Sequence, residues 1–270
     1  MKHAIWERID EKEPITSVRV TNVQETTHAP INEMLDLLVM QENIPQEGLQ
    51  ELVFSRWEYG TCSLSLVEPL DDSVMQSLLS KCKALTKLKM TRMEGLPQNV
   101  RLHLSRHAAS ILTTSSKLEY VSFHRYSYGA DQGEGAMLLS GLASSNSLPT
   151  ITHFICSRNY SWFSTGKESN VEQLSDAIRA MTNLKFLDLT AANFSTEAFD
   201  KVISAISANV EQGQHFEDLS LYDAGVGGYI NNKNFSSSAK EHITALRAKG
   251  LCIAETGDQW RLMHRRYPEM

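Results

Sequence analysis

Four arginines recur at a nearly constant step, and together they could form one binding strip for an anionic group. Arg56, Arg92, Arg125 and Arg158 follow one another at intervals of 36, 33 and 33 residues. A guanidinium group is a planar fork of N–H donors that matches a carboxylate or a phosphate. If consecutive strands carry these side chains, neighbouring charges repel by roughly 1 kcal/mol in water, so the column is not there for stability. We call it the arginine ladder and predict anion recognition; neutralisation by Glu58, Glu94 and water is the open alternative.

Aromatic and polar residues accompany the ladder and extend the predicted binding surface. Arginine, tyrosine and tryptophan are the residues most enriched at interface hot spots. Acidic residues follow later in the chain and predict a surface with two oppositely charged halves, which would orient a protein partner. Of the aromatic residues, Trp57 and Tyr126 are expected to pack internally. The predicted partner-binding residues are Arg56, Arg92, Arg125, Arg158, His124, Tyr128, Tyr160, Trp162, Asp188, Tyr222 and Asp223.

Three other combinations of residues could do chemistry, and the sequence argues against each. His124, Cys156 and Asp188 suggest a Cys-His-Asp triad, but strand alternation places Cys156 and Asp188 on opposite faces of a sheet. His103 and His107 are one helical turn apart without the glutamate of a zinc-protease motif, which predicts a solvated helix face and no metal. The segment STGKES lacks the upstream glycine of a phosphate loop. We therefore predict no enzyme activity and no cofactor.

A repeated hexad, apolar-x-x-apolar-x-apolar, is the element that must position these residues. The interval between successive first positions is 34, 36, 33, 33, 33 and 32 residues, and the pattern fades at Leu251 and Ile253. The segments between hexads have helical spacing, as in Val171, Leu174 and Ile178. Each unit therefore predicts strand, loop and helix, with parallel strands. The first positions are Ile15, Leu49, Leu85, Leu118, Ile151, Leu184 and Phe216.

The alternation of strand side chains predicts which hexad positions are buried. If the first, fourth and sixth positions form the core, the fifth position and the residues just after the hexad face the other side of the sheet. The ladder occupies the second residue after the hexad.

The segments LKFLDLTAANF (184–194), FEDLSLYDAGV (216–226) and ITHFICSRN (151–159) resemble leucine-rich repeats. The helical segment GEGAMLLSGLASSNSL (133–148) is similar to the ribonuclease-inhibitor-like, helix-backed branch. This resemblance implies an α/β horseshoe of about eight repeats, with a parallel sheet on the concave face and helices on the convex face. It implies one domain over 1–270, with repeats at 15–253 and caps at 1–14 and 254–270. Asn159 matches the family asparagine that bonds loop backbone groups; Trp57, Met93, Tyr126, Ala192 and Ala224 replace it in other repeats.

The composition narrows the classes of function. The 270 residues carry a net charge of -6, which argues against general binding to a nucleic-acid backbone. There is no apolar run of 18 residues and no signal-peptide pattern, which predicts a cytoplasmic protein without membrane contact. The four cysteines form no CxxC pair, so we expect a reducing compartment. In the C-terminal cap, Trp260 and Met263 are expected to pack on the last repeat.

These observations predict a monomeric module whose concave face and loops bind an acidic or mixed-charge protein. It could be a stoichiometric inhibitor or regulator of an enzyme, or a bacterial effector-type protein delivered into a host cell. Two alternatives stay open: a structural subunit of a larger assembly, or an activator that supplies an arginine such as Arg158 to a partner's nucleotide site.

Overall fold

In a computed structural model of the protein, strands and helices alternate along the chain. The structure describes residues 17–22, 48–56, 72–93, 98–126, 133–211, 216–224 and 235–266. The strands are β1 (Ser17–Asn22), β2 (Glu51–Arg56), β3 (Lys87–Thr91), β4 (Tyr120–His124), β5 (His153–Ile155), β6 (Phe186–Asp188), β7 (Asp218–Ser220) and β8 (Cys252–Ala254). The helices in the described ranges are α1 (Asp72–Ser80), α2 (Gln98–Thr114), α3 (Glu134–Ala143), α4 (Glu168–Ala180), α5 (Thr196–Glu211), α6 (Ser237–Ala248) and α7 (Gly257–His264).

The eight described strands form one parallel sheet in which each strand pairs with the next along the chain. Every pairing aligns the fourth position of one hexad with the fourth position of the next, from Val18 with Leu52 to Leu219 with Ile253. The parallel orientation of neighbouring strands is possible because a helix forms the connection in each repeat from β2 onward, and parallel neighbours need such a long connection. The predictions of an α/β class and a parallel sheet are confirmed.

The fourth and sixth hexad positions face the helices and form the main core. Phe154, Cys156, Leu187 and Leu189 are buried there beside apolar residues of helices α2 to α6. The third and fifth positions face the opposite side of the sheet, which we call the far face. Alternation therefore predicted correctly which strand residues enter the core.

Asn159 connects two repeats within this core. Its Oδ1 accepts a hydrogen bond from the backbone N–H of Tyr126 at 2.8 Å, and its Nδ2 donates to the carbonyl of Phe123 at 2.5 Å. Both groups are buried and would otherwise lack water, so the asparagine replaces solvent for the turn after β4. The expected role of this residue is confirmed.

Helix α7 lies on the far face. Met263 and the half-buried Trp260 pack in a second apolar cluster with Ile155, Phe186 and Ala254, which occupy third or fifth hexad positions. The helix begins with a capping box, because the Thr256 side chain accepts from the backbone of Gln259, whose own side chain accepts from the backbone N–H of Thr256. Trp260 and Met263 lie in one cluster with Ala254 of β8, as expected for packing on the last repeat, and the cluster also extends to β5 and β6.

Candidate functional site

The described members of the arginine ladder stand at the C-terminal ends of neighbouring strands. Arg92, Arg125 and Arg158 follow β3, β4 and β5, and their side chains are all half-buried. The backbone N–H of each donates to the carbonyl of a residue that follows the next strand or ends it: His124 at 2.8 Å, Ser157 at 3.0 Å and Thr190 at 2.7 Å. These bonds hold the three residues in one column, as their spacing predicts. The Arg56 side chain lies outside the described residues.

Each of these arginines has a left-handed backbone. Their φ angles are +59°, +53° and +59°, and Ala191 and Asp223 adopt the same conformation at the equivalent place in the next two repeats. This region suits glycine or asparagine, and another residue held there costs of order 1 kcal/mol. The turn after each strand therefore imposes the left-handed backbone on whichever residue occupies this place. The backbone conformation does not explain why three of these residues are arginine.

His124 lies next to the ladder at the end of β4. Its Nδ1 is 2.8 Å from the Ser157 hydroxyl oxygen, to which it is hydrogen-bonded. Burial lowers the pKa of His124 to about 4; Asp188 acts to raise this pKa, whereas the charges of the three arginines lower it further. The ring is therefore neutral at pH 7, and it accepts or donates hydrogen bonds without adding to the positive charge.

Asp188 is the carboxylate of this cluster, but it does not lie on an accessible surface. Its side chain accepts a hydrogen bond from the backbone N–H of Thr190 at 2.8 Å, and the Thr190 hydroxyl is 2.7 Å from that of Ser220. Asp188 is only 1% exposed. The prediction that it contacts a partner is wrong, because it belongs to a buried polar network on the far face.

Helix α7 covers the acidic end of the far face. The Arg266 guanidinium lies 3.1 Å from the Asp218 carboxylate, and Asp218 is buried. The Arg158 guanidinium lies 5.9 Å from the centroid of the Trp260 ring, within cation–π distance. Asp223 and Tyr222 are half-buried, and burial raises the pKa of Asp223 while Arg158 opposes this. Of the acidic residues expected on the surface of two opposite charges, Asp188 and Asp218 are buried and Asp223 is half-buried, so only part of the acidic half remains accessible.

A row of aromatic and basic side chains crosses the far face beside the ladder, and the prediction from sequence missed it. Tyr120 stacks on His153 with ring centroids 5.9 Å apart, and His153 contacts Phe186 at 6.1 Å. Lys87 and Lys89 lie over the Tyr120 ring, at 5.4 and 4.9 Å from its centroid. The signal was present in the sequence, because the third hexad position is aromatic in three consecutive repeats.

The aromatic residues expected in the loops have different environments. Trp162 is fully buried and packs against Phe123, Tyr126 and Phe163. The prediction that Trp162 contacts a partner is therefore wrong, because the loop after β5 folds back into the core. Tyr126 is buried as expected, with its hydroxyl 2.7 Å from that of Ser105.

Two further aromatic predictions end differently. Tyr160 is half-buried, so a partner could still reach part of its side chain. Tyr128, like Trp57, lies outside the described residues.

The structure does not assemble the Cys-His-Asp triad. The Cys156 thiol lies in the main core, where burial raises its pKa to about 12, and Asn159 is its hydrogen-bonding neighbour at 3.7 Å. A thiol in this state is not a nucleophile at neutral pH. His124 is on the other side of the strand, as alternation predicted.

His103 and His107 are not on a solvated helix face. His107 is 7% exposed and the His103 side chain is 11% exposed, and Asp72 of helix α1 lies beside both rings. Burial and the neighbouring His103 lower the pKa of His107, and the carboxylate of Asp72 opposes this. The interpretation of a solvated face is wrong, since spacing within α2 gives no information on the helix that packs beside it.

Comparison with known proteins assigns no family to the chain. No protein-family model matches it, and no curated protein matches it. In the part of the chain that the structure describes, no helix is long and apolar enough to cross a membrane.

Proposed function

We propose that the chain is a helix-backed leucine-rich-repeat module that binds an acidic or mixed-charge protein and so regulates that protein. The binding surface is the arginine ladder together with the basic and aromatic side chains beside it on the far face of β3 and β4, which is the concave side of the repeat. The observation that carries the proposal is the column of three half-buried arginines at the C-terminal ends of three neighbouring strands. Three like charges in one column repel one another, so the column does not stabilise the fold and is suited to binding an anionic group.

The neighbouring residues support a protein ligand. Half-buried guanidinium groups bind carboxylates strongly because they donate two parallel hydrogen bonds in a partly desolvated setting. Lys87 and Lys89 over Tyr120 extend the cationic surface with an aromatic ring, a combination common at protein interfaces. The half-buried Asp223 lies close enough to Arg158 for the two charges to interact. A carboxylate beside the ladder suits a mixed-charge protein better than a uniformly anionic nucleic acid.

The ladder is tested by charge reversal with a matched control. The ladder variant carries Arg92→Glu, Arg125→Glu and Arg158→Glu; the control carries Arg179→Glu, Lys201→Glu and Lys240→Glu, three exposed cations on helices α4, α5 and α6. Both variants change the net charge equally, and circular dichroism checks that both fold. Fluorescence anisotropy then measures binding to labelled poly-glutamate and to a labelled DNA duplex at several salt concentrations.

Binding to poly-glutamate should fall at least about tenfold in the ladder variant and change little in the control, because each lost charged hydrogen bond is worth roughly 1.5–3 kcal/mol. Wild-type protein should bind poly-glutamate more tightly than DNA. Equal losses in the two variants, or tighter binding to DNA, would contradict the proposal. Crosslinking of the wild-type protein in cell lysate, with the ladder variant in parallel, then identifies the natural partner.

A further inference from the structure

A cluster of potential metal ligands lies on the helix side of the sheet, where α1 meets α2. His103 and His107 are one turn apart on α2, with ring centroids 4.5 Å apart and planes at 69°. Asp72, the first residue of α1, places its Oδ1 3.2 Å from His107 Nε2 and 3.7 Å from His103 Nδ1. One ligand atom from each of the three residues lies within 4.8 Å of the other two.

These separations fit a tetrahedral metal site. Zinc binds imidazole nitrogen and carboxylate oxygen at roughly 2.0–2.2 Å, so two of its ligand atoms stand about 3.3 Å apart. The measured 3.2 and 3.7 Å lie on either side of this distance. Small rotations of side chains would be enough to bring the three atoms around one ion.

The polar environment also favours a ligand over a simple ion pair. Both imidazole side chains are close to nine-tenths buried, and a single carboxylate oxygen faces both rings. Burying two histidine rings beside one hydrogen-bond acceptor is energetically costly, whereas a metal ion would be coordinated by a ring nitrogen of each histidine.

We infer that Asp72, His103 and His107 bind one zinc ion, with water as the fourth ligand. Two imidazoles and one carboxylate favour zinc over calcium or magnesium, which prefer oxygen ligands. Asp72 is 66% exposed, so an ion can enter from solvent. The positive charge of Arg106 on α2 opposes a cation beside His107, but Arg106 is exposed, so solvent and salt screen its charge.

A zinc ion at this position joins the two helices on either side of β3 in the chain. Asp72 and His107 are 35 residues apart, and the segment between them includes β3, which Arg92 follows. The site would therefore stabilise one repeat of the helix layer, and its exposed water position leaves room for a ligand from another molecule. This inference does not depend on protein binding by the arginine ladder.

The experiment is a zinc titration of the full chain, first stripped of metal with a chelator. Isothermal calorimetry measures binding of zinc chloride to the wild type and to Asp72→Asn, a change at an exposed side chain that should not disturb the fold. Asp176→Asn, at an exposed aspartate of α4, is the matched control. A second ligand variant is His103→Asn, and visible absorption of the cobalt-substituted protein reports the coordination.

We expect one zinc per chain in the wild type and the control. The affinity for zinc should fall at least tenfold in Asp72→Asn and in His103→Asn. The cobalt spectrum of the wild type should indicate tetrahedral coordination, without thiolate bands. Zinc should raise the melting temperature of the wild type but not that of the two ligand variants. Absence of zinc binding to the wild type, a zinc affinity in either ligand variant equal to that of the wild type, or cobalt bands from cysteine would overturn the inference.

Discussion

The electrostatic state of His124 follows from its neighbours. Three guanidinium groups and a half-buried position disfavour a further positive charge, and the single carboxylate of Asp188 does not compensate for them. The hydrogen bond to Ser157 needs only a neutral ring. His124 therefore stabilises the fold while it is neutral, and its protonation in acid destabilises the fold.

Acid should destabilise the protein partly through His124. The folded pKa of about 4 lies below the ordinary value of 6.5, so between these values the unfolded chain binds a proton that the folded chain does not. Stability is thus lost as pH falls below about 6.5, and His124 accounts for up to about 2 kcal/mol of the loss between pH 7 and pH 5. In His124→Asn this part of the loss should be absent when the free energy of unfolding is measured by urea denaturation at pH 7 and at pH 5.

The control for this measurement is His242→Asn, a change on α6 outside the ladder. It should keep the full acid sensitivity of the wild type. His107 and His153 also have lowered pKa values because of burial, so some loss of stability in acid should persist in His124→Asn. The same loss in both variants and in the wild type would show that His124 does not titrate as argued.

Asn159 should be one of the polar residues most sensitive to substitution. Asn159→Ala leaves the Tyr126 N–H and the Phe123 carbonyl buried without their partner, at about 1–3 kcal/mol each. We expect the free energy of unfolding to fall by about 2–4 kcal/mol in denaturant titration. Asn183→Ala, which removes an exposed hydrogen bond to the Pro149 carbonyl, should cost under about 1 kcal/mol. A smaller loss for Asn159→Ala than for Asn183→Ala would contradict this role.

Sequence predicted residues correctly where the strand alone decides their environment. Cys156 and Asn159 have fixed positions relative to a hexad, so alternation and the repeat placed both in the core. Trp162, Asp188 and His107 were placed wrongly because a segment distant in sequence covers each of them. Their burial depends on helices and loops that pack beside or over them, and a local pattern holds no information on that packing.

Helix α7 shows the same limit at the scale of an element. Its apolar stripe, with Trp260 and Met263, predicted that the helix would pack against the repeats. The same stripe could have covered the edge of β8 or the far face, and the stripe alone does not distinguish the two. The structure places it on the far face, because Ile155 and Phe186 there are large apolar residues at positions that polar residues occupy in other repeats.

Met263→Asp should release α7 from the far face. The substitution puts a charge into an apolar cluster with Ile155 and Phe186, and loss of the buried methionine alone costs about 1.5–3 kcal/mol. Hydrogen exchange of residues 257–264 should become faster, and binding of a hydrophobic dye should increase. Leu262→Asp is the matched control, because Leu262 is 60% exposed on the same helix. Equal exchange rates in the two variants would mean that Met263 does not anchor the helix.

The whole molecule is a stack in which each described strand contacts only its sequence neighbours in the sheet. Helices follow the same order, with α2 beside α3 and α4 beside α5. Stability in such an array is close to a sum of repeat and interface contributions. The effect of a core substitution should therefore depend on its distance from the end of the stack.

Phe154→Ala and Ile253→Ala compare the middle of the stack with its end. Both side chains occupy the fourth hexad position in the main core, on β5 and β8. Phe154→Ala should cost about 3–5 kcal/mol and reduce hydrogen-exchange protection in the repeats on both sides, because two interfaces lose a shared core residue. Ile253→Ala should expose β7, β8 and α6 to exchange and leave β3 to β5 protected. Uniform loss of protection in Ile253→Ala would mean that the sheet unfolds as one cooperative unit.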